Sequence, residues 1–331
     1  MSGEALNHRL TSTLQGGEGK AEQNRRESEV YRKEVGKIAQ EVTGKNCILS
    51  GVDLGPATEN ILAYVSFAAS KIHAPVRLLY VIDFLLTPPS YLSAYIEEER
   101  MKEESEMAGW KARLKSAGVE AECSIVLGRL HESFIRAIEE TSPEILVIGY
   151  KSHLIRPSSS ERLIKSLNVP MLVVRGKCAE HASIGSIDVK KILCPVDFSE
   201  NARKALSAAK KYASLFSSEL HVIHIIPSYL IKEKWVIWDK LSEKDRERFD
   251  EILRVEAKSR VNSLIKNCGI DSEGEIFQGN PGETISSVAE AGKYDLIVMG
   301  AIGMSYIETV LIGGTTDAVL RSSPCPVLIV H

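Results

Sequence analysis

An internal repeat constrains this sequence more strongly than any other feature. The run CILSGVD at 47–53 returns as KILCPVD at 191–197, and a long stretch with apolar residues at helical spacing follows each run. Further along, Gly149 recurs as Gly300 and Pro170 as Pro326, in the same order relative to the apolar runs around them. Such self-similarity indicates two copies of one structural module. The length of 331 residues also suits two domains.

Within each copy, short apolar runs alternate with longer helical stretches. The first copy contains VRLLYVID and EILVIGY, and the second contains ELHVIHII and DLIVMG. Strands that are apolar throughout are typical of parallel sheets covered by helices on both faces. The pattern therefore predicts an α/β protein with two doubly wound, five-stranded parallel-sheet domains in tandem. We place the domains at residues 45–176 and 189–331, with a linker at 177–188.

Residues 1–44 form a polar N-terminal extension. Its second part places Val35, Ile38 and Val42 near helical spacing, which predicts one amphipathic helix. The sequence is equally compatible with docking of this helix on the body of the protein and with docking on an unknown protein partner.

Composition argues against several classes of function. The formal net charge is −3, so no overall positive field attracts nucleic acid or an anionic membrane. No stretch approaches the roughly 18 consecutive apolar residues of a membrane span, and the start of the chain lacks the pattern of a secretory signal. The six cysteines have neither CxxC nor metal-finger spacing, which favours reduced thiols and no metal site. We expect a cytoplasmic protein.

The second copy carries a glycine-rich connection after its fourth strand. Gly300 and Gly303 follow the run DLIVM, and Gly313 and Gly314 open the helical stretch TTDAVLRSS. Glycines let a bulky anion approach the backbone, and the N-terminus of a helix offers unpaired N–H donors to phosphate oxygens. The alternative is an ordinary connecting loop in which Thr315 or Thr316 caps the helix.

The spacing Gly300-x2-Gly303-x9-Gly313, with PVD at 195–197, resembles that of the ATP-binding universal stress proteins. The resemblance covers the chain from Asn46 onward as two domains, and it implies the adenine nucleotide alpha hydrolase-like fold. In that family the pattern ends Gly-Ser or Gly-Thr, whereas this chain has Gly314 at the last position. The hydroxyl is therefore lost there, although two threonines follow at once.

The resemblance implies nucleotide-binding roles for ten residues of the second copy. Pro195 and Asp197 would face the adenine and ribose, Ile225 would pack against the base, and Met299 would lie beneath the ribose and phosphates. The phosphates would be held by Gly300, Gly303, Gly313, Gly314, Thr315 and Thr316, and Mg²⁺ would accompany ATP. Two alternatives stay open: Asp197 as a turn residue before the helix cap Ser199, and Met299 as a core residue.

The first copy departs from this pattern. Gly149 is kept, but Ser152 stands at the second glycine and Pro157 stands where the second copy has Gly313. The loop between them is five residues shorter than in the second copy. Asp53 and Val81 still match Asp197 and Ile225, so an adenine-sized pocket is compatible with the sequence. We do not expect ATP to bind this copy.

The family resemblance also implies how the copies assemble and act. Universal stress proteins generally dimerise through their last strands, here PMLVVRG and PVLIV, so the two copies are expected to pair as an intramolecular pseudo-dimer. Larger homo-oligomers are compatible with this arrangement. No Walker lysine, GxSxG or HExxH motif is present, so we assign no catalytic residue.

Three functions remain under consideration. The first is a stress-response regulator or sensor that binds ATP in its second domain, with slow or no hydrolysis. The second is an interaction scaffold that no longer binds nucleotide. The third is a slow ATPase.

Overall fold

The fold is built from the strand and helix alternation that the sequence predicts. The computed structural model describes residues 47–83, 89–150, 159–177, 179–228, 242–302 and 312–331. The predicted N-terminal extension lies outside these residues. The described elements belong to one unit, Asn46–His331.

The elements of the first half are β1 (Ile48–Gly51), α1 (Thr58–Ile72), β2 (Val76–Ile82), α2 (Pro89–Ser116), β3 (Ala121–Leu127), α3 (Leu130–Thr141), β4 (Ile145–Gly149), α4 (Ser159–Ile164) and β5 (Met171–Val174). Those of the second half are β6 (Lys191–Pro195), α5 (Glu200–Phe216), β7 (Glu219–Pro227), α6 (Glu243–Asn267), β8 (Glu275–Gly279), α7 (Pro281–Ala291), β9 (Leu296–Gly300), α8 (Gly314–Ser322) and β10 (Val327–Val330).

The ten strands form a single sheet in the order β3-β2-β1-β4-β5-β10-β9-β6-β7-β8. Each half contributes five parallel strands with the same internal order, so the predicted fold class is confirmed. The halves join where β5 and β10 run antiparallel, with Leu172 opposite Leu328. The two last strands therefore cover each other's edges within one chain.

Two hydrophobic cores lie on opposite faces of this sheet. One lies beneath α1, α2, α5 and α6, and the other lies beneath α3, α4, α7 and α8. Because successive side chains of a strand point to opposite faces, Ile48 and Ile192 enter the first core while Leu49 and Leu193 enter the second. The matching positions of the two repeats thus have matching environments.

At the junction between the halves, the backbone after β5 lies directly against the backbone before β10. Gly176, two residues after β5, has φ +85°, and a Cβ atom there would lie 2.2 Å from the carbonyl oxygen of Pro324. The segment that follows packs against the protein, since Ala179 and Ala182 are buried in the first core. On the α1 and α5 face, the rings of Phe67 and Phe216 meet at 4.8 Å between centroids.

Candidate functional site

The end of β6 and the turn after it place Pro195 and Asp197 at the carboxyl edge of the sheet. The Asp197 carboxylate accepts a hydrogen bond from the backbone N–H of Ser199 at 3.2 Å, and the Ser199 hydroxyl caps α5 by accepting from Ala202 N at 3.1 Å. Phe198 between them has φ +68°, a conformation rare for residues with side chains. The turn role of Asp197 is therefore present. Its carboxylate is half-buried and stays at the edge where a ligand of the sheet would lie.

Ile225 and Met299 lie on neighbouring parts of the same sheet face. Both are buried, at 6% and 5% exposure, and both belong to the core beneath α7 and α8. The alternative reading of Met299 as a core residue therefore agrees with its packing. Next to Ile225, the buried ring of His224 donates from Nδ1 to the carbonyl oxygen of Val196 at 2.7 Å, which fixes the end of β7 against the turn after β6.

Gly300 has a packing reason to be glycine. A Cβ atom at this position would lie 2.9 Å from the carbonyl carbon and 3.0 Å from the carbonyl oxygen of Asn201, at the start of α5. Asn201 also holds the segment after β9, because its side-chain amide donates to the carbonyl oxygen of Ile302 at 3.2 Å. The end of β9 and the first turn of α5 are thus in direct contact at this edge. Gly303 lies outside the described residues.

The N-terminus of α8 is open to solvent at the same edge. Gly313 precedes the helix and donates its N–H to the carbonyl oxygen of Ala301 at 2.8 Å. Gly314 and Thr315 are exposed, and a Cβ atom at Gly314 would meet nothing within 4 Å. Thr316 is buried, and its hydroxyl donates to the carbonyl oxygen of Gly300 at 2.9 Å, which ties α8 to the end of β9.

The start of α8 differs from the starts of the other helices in the second half. Side chains of Ser199, Ser242 and Asn280 cap α5, α6 and α7, whereas the N-cap residue of α8 is Gly313, and no side-chain cap is present there among the described residues. The first backbone N–H groups of a helix have no carbonyl partner one turn earlier. As far as the described ranges extend, these donors at α8, together with the positive end of the helix dipole, lie at the open edge and suit an anion.

Ion pairs that the sequence did not reveal join α8 to the first half. Asp317 bonds to Lys165 at 2.8 Å and to Arg321 at 3.1 Å. Although burial opposes ionisation of Asp317, the hydrogen bonds from these two cations outweigh it and lower the pKa of the carboxyl. Arg321 also reaches the buried carboxylate of Glu161 at 3.2 Å, and Glu161 accepts a hydrogen bond from the Tyr150 hydroxyl. The open helix is thus anchored on the opposite half.

The first half contains a cavity of about 520 Å³ at the carboxyl ends of its strands. Asp53 and Val81 line it, as expected of residues that match Asp197 and Ile225 in the repeat. The cavity is also lined by Tyr150 and Arg175, whose guanidinium lies 5.1 Å from the centre of the Tyr150 ring. The sequence analysis did not single out Arg175. The match of Pro170 with Pro326 could have found it, because the same alignment pairs Arg175, which follows β5, with His331, which follows β10.

Within the described residues, no group of three or more His, Cys, Asp and Glu side chains has an arrangement suited to a metal ion. Among the helices of the same ranges, none has the length and apolar character needed to cross a bilayer.

A family model described as the universal stress protein family matches residues 46–175 and 188–331. The two segments together make up most of the chain. The chain belongs to the universal stress protein family. The recognition made from the glycine spacing is thereby confirmed, and so is the tandem arrangement of two such domains.

Individual universal stress proteins resemble parts of the chain. MJ0577 of Methanocaldococcus jannaschii is 32% identical over 156 residues, which are 44% of this chain and 96% of the relative. MJ0531 of the same organism is 30% identical over 143 residues, 43% of this chain and 81% of the relative. Each relative corresponds to less than half of this chain, as a single repeat would.

Solved structures resemble both halves together. A universal stress protein from Archaeoglobus fulgidus has a TM-score of 0.62 at 23% identity, covering 87% of this chain and 96% of that one. PA1789 of Pseudomonas aeruginosa, a protein of unknown function, has a TM-score of 0.56 at 17% identity and covers 87% and 92%. These likenesses show that the fold of this universal stress protein occurs elsewhere with both halves present.

The folded universal stress protein is expected to lose stability in mild acid. Burial, together with the charge of Lys204, lowers the pKa of His331 to about 4. The unfolded histidine titrates near 6.5, so below that pH the unfolded chain binds a proton that the folded chain does not. This contribution is fully present above about pH 6.5. It is lost as the pH falls toward 4, at no more than about 1.4 kcal/mol per unit, and less where solvent screens the ring.

Urea unfolding midpoints between pH 7.5 and 5 measure this effect. His331→Gln is expected to reduce the pH dependence partly, because burial also lowers the pKa of His224 and that contribution remains. His131→Gln, at an exposed position of α3, is the control and should keep the wild-type profile. An unchanged pH slope in His331→Gln would contradict the assignment.

Proposed function

We propose that this universal stress protein binds ATP, accompanied by Mg²⁺, at the carboxyl edge of the sheet in its second half, and that it acts as a stress-response regulator. The observation that carries the proposal is the uncapped N-terminus of α8, which opens beside the end of β9. The family resemblance implies a triphosphate at these positions, and a helix end whose N-cap residue is glycine suits phosphate oxygens.

The residues at this edge fit a phosphate group to different degrees. The open space at Gly314 leaves room for an anion against the backbone, and the exposed Thr315 supplies a hydroxyl beside it. The N–H of Gly313 and the hydroxyl proton of Thr316 are already used, so these two groups shape the site and do not donate to a phosphate in this arrangement. We therefore assign the donor role to the backbone of Gly314–Thr316 and the side chain of Thr315.

The nucleoside end of the site would lie over the strand ends. Asp197 is held in place by its bond to Ser199 N, and Ile225 and Met299 provide a buried apolar floor. Because the described residues near this edge contain no metal-binding cluster, Mg²⁺ would be held chiefly by the phosphates. A site with few cationic side chains aimed at the phosphates holds a nucleotide better than it promotes phosphoryl transfer, which favours binding over turnover.

Isothermal titration of the full chain with ATP and Mg²⁺ tests the proposal. Gly314→Leu is expected to weaken ATP binding at least about tenfold, because a side chain on the first helical turn projects toward the helix N-terminus and into the anion's space. Gly314→Ser restores the hydroxyl of the family pattern and should strengthen binding by a factor of about 3–10 through one added hydrogen bond.

The matched control is Gly109→Leu in α2. A Cβ atom at Gly109 also meets nothing within 4 Å, so this variant makes the same chemical change far from the site. Absence of ATP binding by the folded wild-type chain would refute the proposal and favour the scaffold. Hydrolysis that Gly314→Leu removes and Gly109→Leu keeps would favour the slow ATPase.

A further inference from the structure

The cavity of the first half has walls suited to an apolar molecule. Its volume is about 520 Å³, within the usual range for sites that take small ligands. Hydrophobic side chains make most of its wall, among them Ile61, Leu79, Phe134 and Ile148. Of the phosphate-loop glycines of the second half, Gly300 alone has an equivalent in the sequence here, Gly149, so the cavity retains chiefly the apolar part of a binding site.

Two nitrogen atoms of a half-buried cation at this cavity have no hydrogen-bond partner among the described residues. Within the described residues, the Nε and Nη1 atoms of Arg175 are buried and make no hydrogen bond. Unpaired polar groups in a protein interior are costly, and each such group calls for an explanation. The Tyr150 ring against which the guanidinium packs is itself held, because its hydroxyl donates to Glu161 at 3.1 Å. Arg175 is thus held at the cavity wall with hydrogen-bonding capacity to spare.

Among the described residues that line the cavity, the other charged side chains are negative. The exposed side chains of Asp53, Asp83 and Glu180 line it together with Arg175. A ligand with several negative charges would be repelled by three carboxylates and attracted by one guanidinium. A single carboxylate matches the number of cations, and the planar fork of arginine suits carboxylate geometry.

We propose that the cavity of the first half binds a small amphipathic carboxylic acid, with its carboxylate on Arg175 and its apolar body between α1 and α3. This inference stands apart from ATP binding by the second half. It assigns the two halves different ligands, a nucleotide in one and an apolar acid in the other.

Three probes with the same number of carbon atoms and different head groups test the proposal. Octanoate, octylamine and octyl phosphate are titrated separately into the full chain by calorimetry. Octanoate is expected to bind once per chain and more tightly than the other two. Tighter binding of octyl phosphate or octylamine, or no binding of any probe, would overturn the proposal.

Variants of Arg175 locate the interaction. Arg175→Gln should weaken octanoate binding at least about tenfold, the loss expected for a charge-assisted hydrogen bond, while Arg175→Lys should lose less because it keeps the charge. Arg136→Gln, at an exposed position of α3, is the matched control and should bind octanoate as the wild type does. Unaltered octanoate binding by folded Arg175→Gln would refute the role of Arg175.

A parallel titration with ATP and Mg²⁺ separates this proposal from the previous one. Arg175→Gln is expected to bind ATP as the wild type does, and Gly314→Leu is expected to bind octanoate as the wild type does. Failure of ATP binding alone leaves the octanoate result standing, so the two proposals fail independently.

Discussion

Gly176→Ala is expected to lower the free energy of unfolding by about 3–5 kcal/mol. Gly176 has φ +85°, where an alanine is strained, and the new Cβ atom would also lie 2.2 Å from the carbonyl oxygen of Pro324. Because that neighbour is backbone at the junction of the two halves, no side chain can turn away to relieve the clash. The junction itself has to shift. Urea unfolding followed by circular dichroism measures the loss.

Gly185→Ala provides a control with the same backbone conformation. Gly185 has φ +86°, but a Cβ atom there would meet nothing within 4 Å. Gly185→Ala therefore introduces the backbone strain without the clash and should lower the free energy of unfolding by about 1 kcal/mol. Equal losses in the two variants would show that contact with Pro324 does not restrain the junction.

Gly300→Ala is expected to lower the free energy of unfolding by about 2 kcal/mol, because its Cβ atom would enter the first turn of α5. The contacts of 2.9 and 3.0 Å are with backbone atoms of Asn201, which α5 holds in place. The same urea experiment measures this variant. If Gly300→Ala loses ATP binding, displacement of α5 therefore explains the loss as well as direct blocking of the site does.

Gly314→Ala is the matched control from the same motif. Its Cβ atom would point into open space, and alanine is a better helix former than glycine, so its stability should stay within about 0.5 kcal/mol of the wild type or rise slightly. Similar destabilisation by both variants would contradict the assignment of Gly300 to packing and Gly314 to the open edge.

The strand and helix pattern was predictable because it depends on local periodicity. The runs around Ile48 and Ile192 are apolar on both faces, as buried parallel strands require, and each forms the central strand of its own half. The repeat then supplied the topology of the second half from that of the first. Even the turn after the first strand is repeated, since Leu54 and Phe198 both have positive φ.

The site was harder to predict because its properties depend on contacts between distant segments. The spacing of Gly300 and Gly313 suggested that both glycines contact the phosphates in the same way. In the structure, Gly300 packs against Asn201 and Gly313 bonds to Ala301. Which glycine leaves open space depends on the approach of α5, and spacing along the chain does not encode this.

Arg175 illustrates the same limit. In sequence it is one charged residue at the end of an apolar run, where exposure is the ordinary expectation. It is half-buried because β5 meets β10 antiparallel, which brings the segment around Pro324 of the second half against the end of β5. Only the tertiary arrangement shows a cation facing an apolar cavity.

The antiparallel meeting of β5 and β10 has a consequence for how the molecule responds to dilution. Separate subunits that share a sheet edge dissociate when their concentration falls, whereas two halves on one polypeptide keep a fixed local concentration of each other. Pairing here is therefore independent of expression level. A fused pair also frees each pocket to change without the other, since a substitution in one half is not copied into its neighbour as it is in a symmetric assembly.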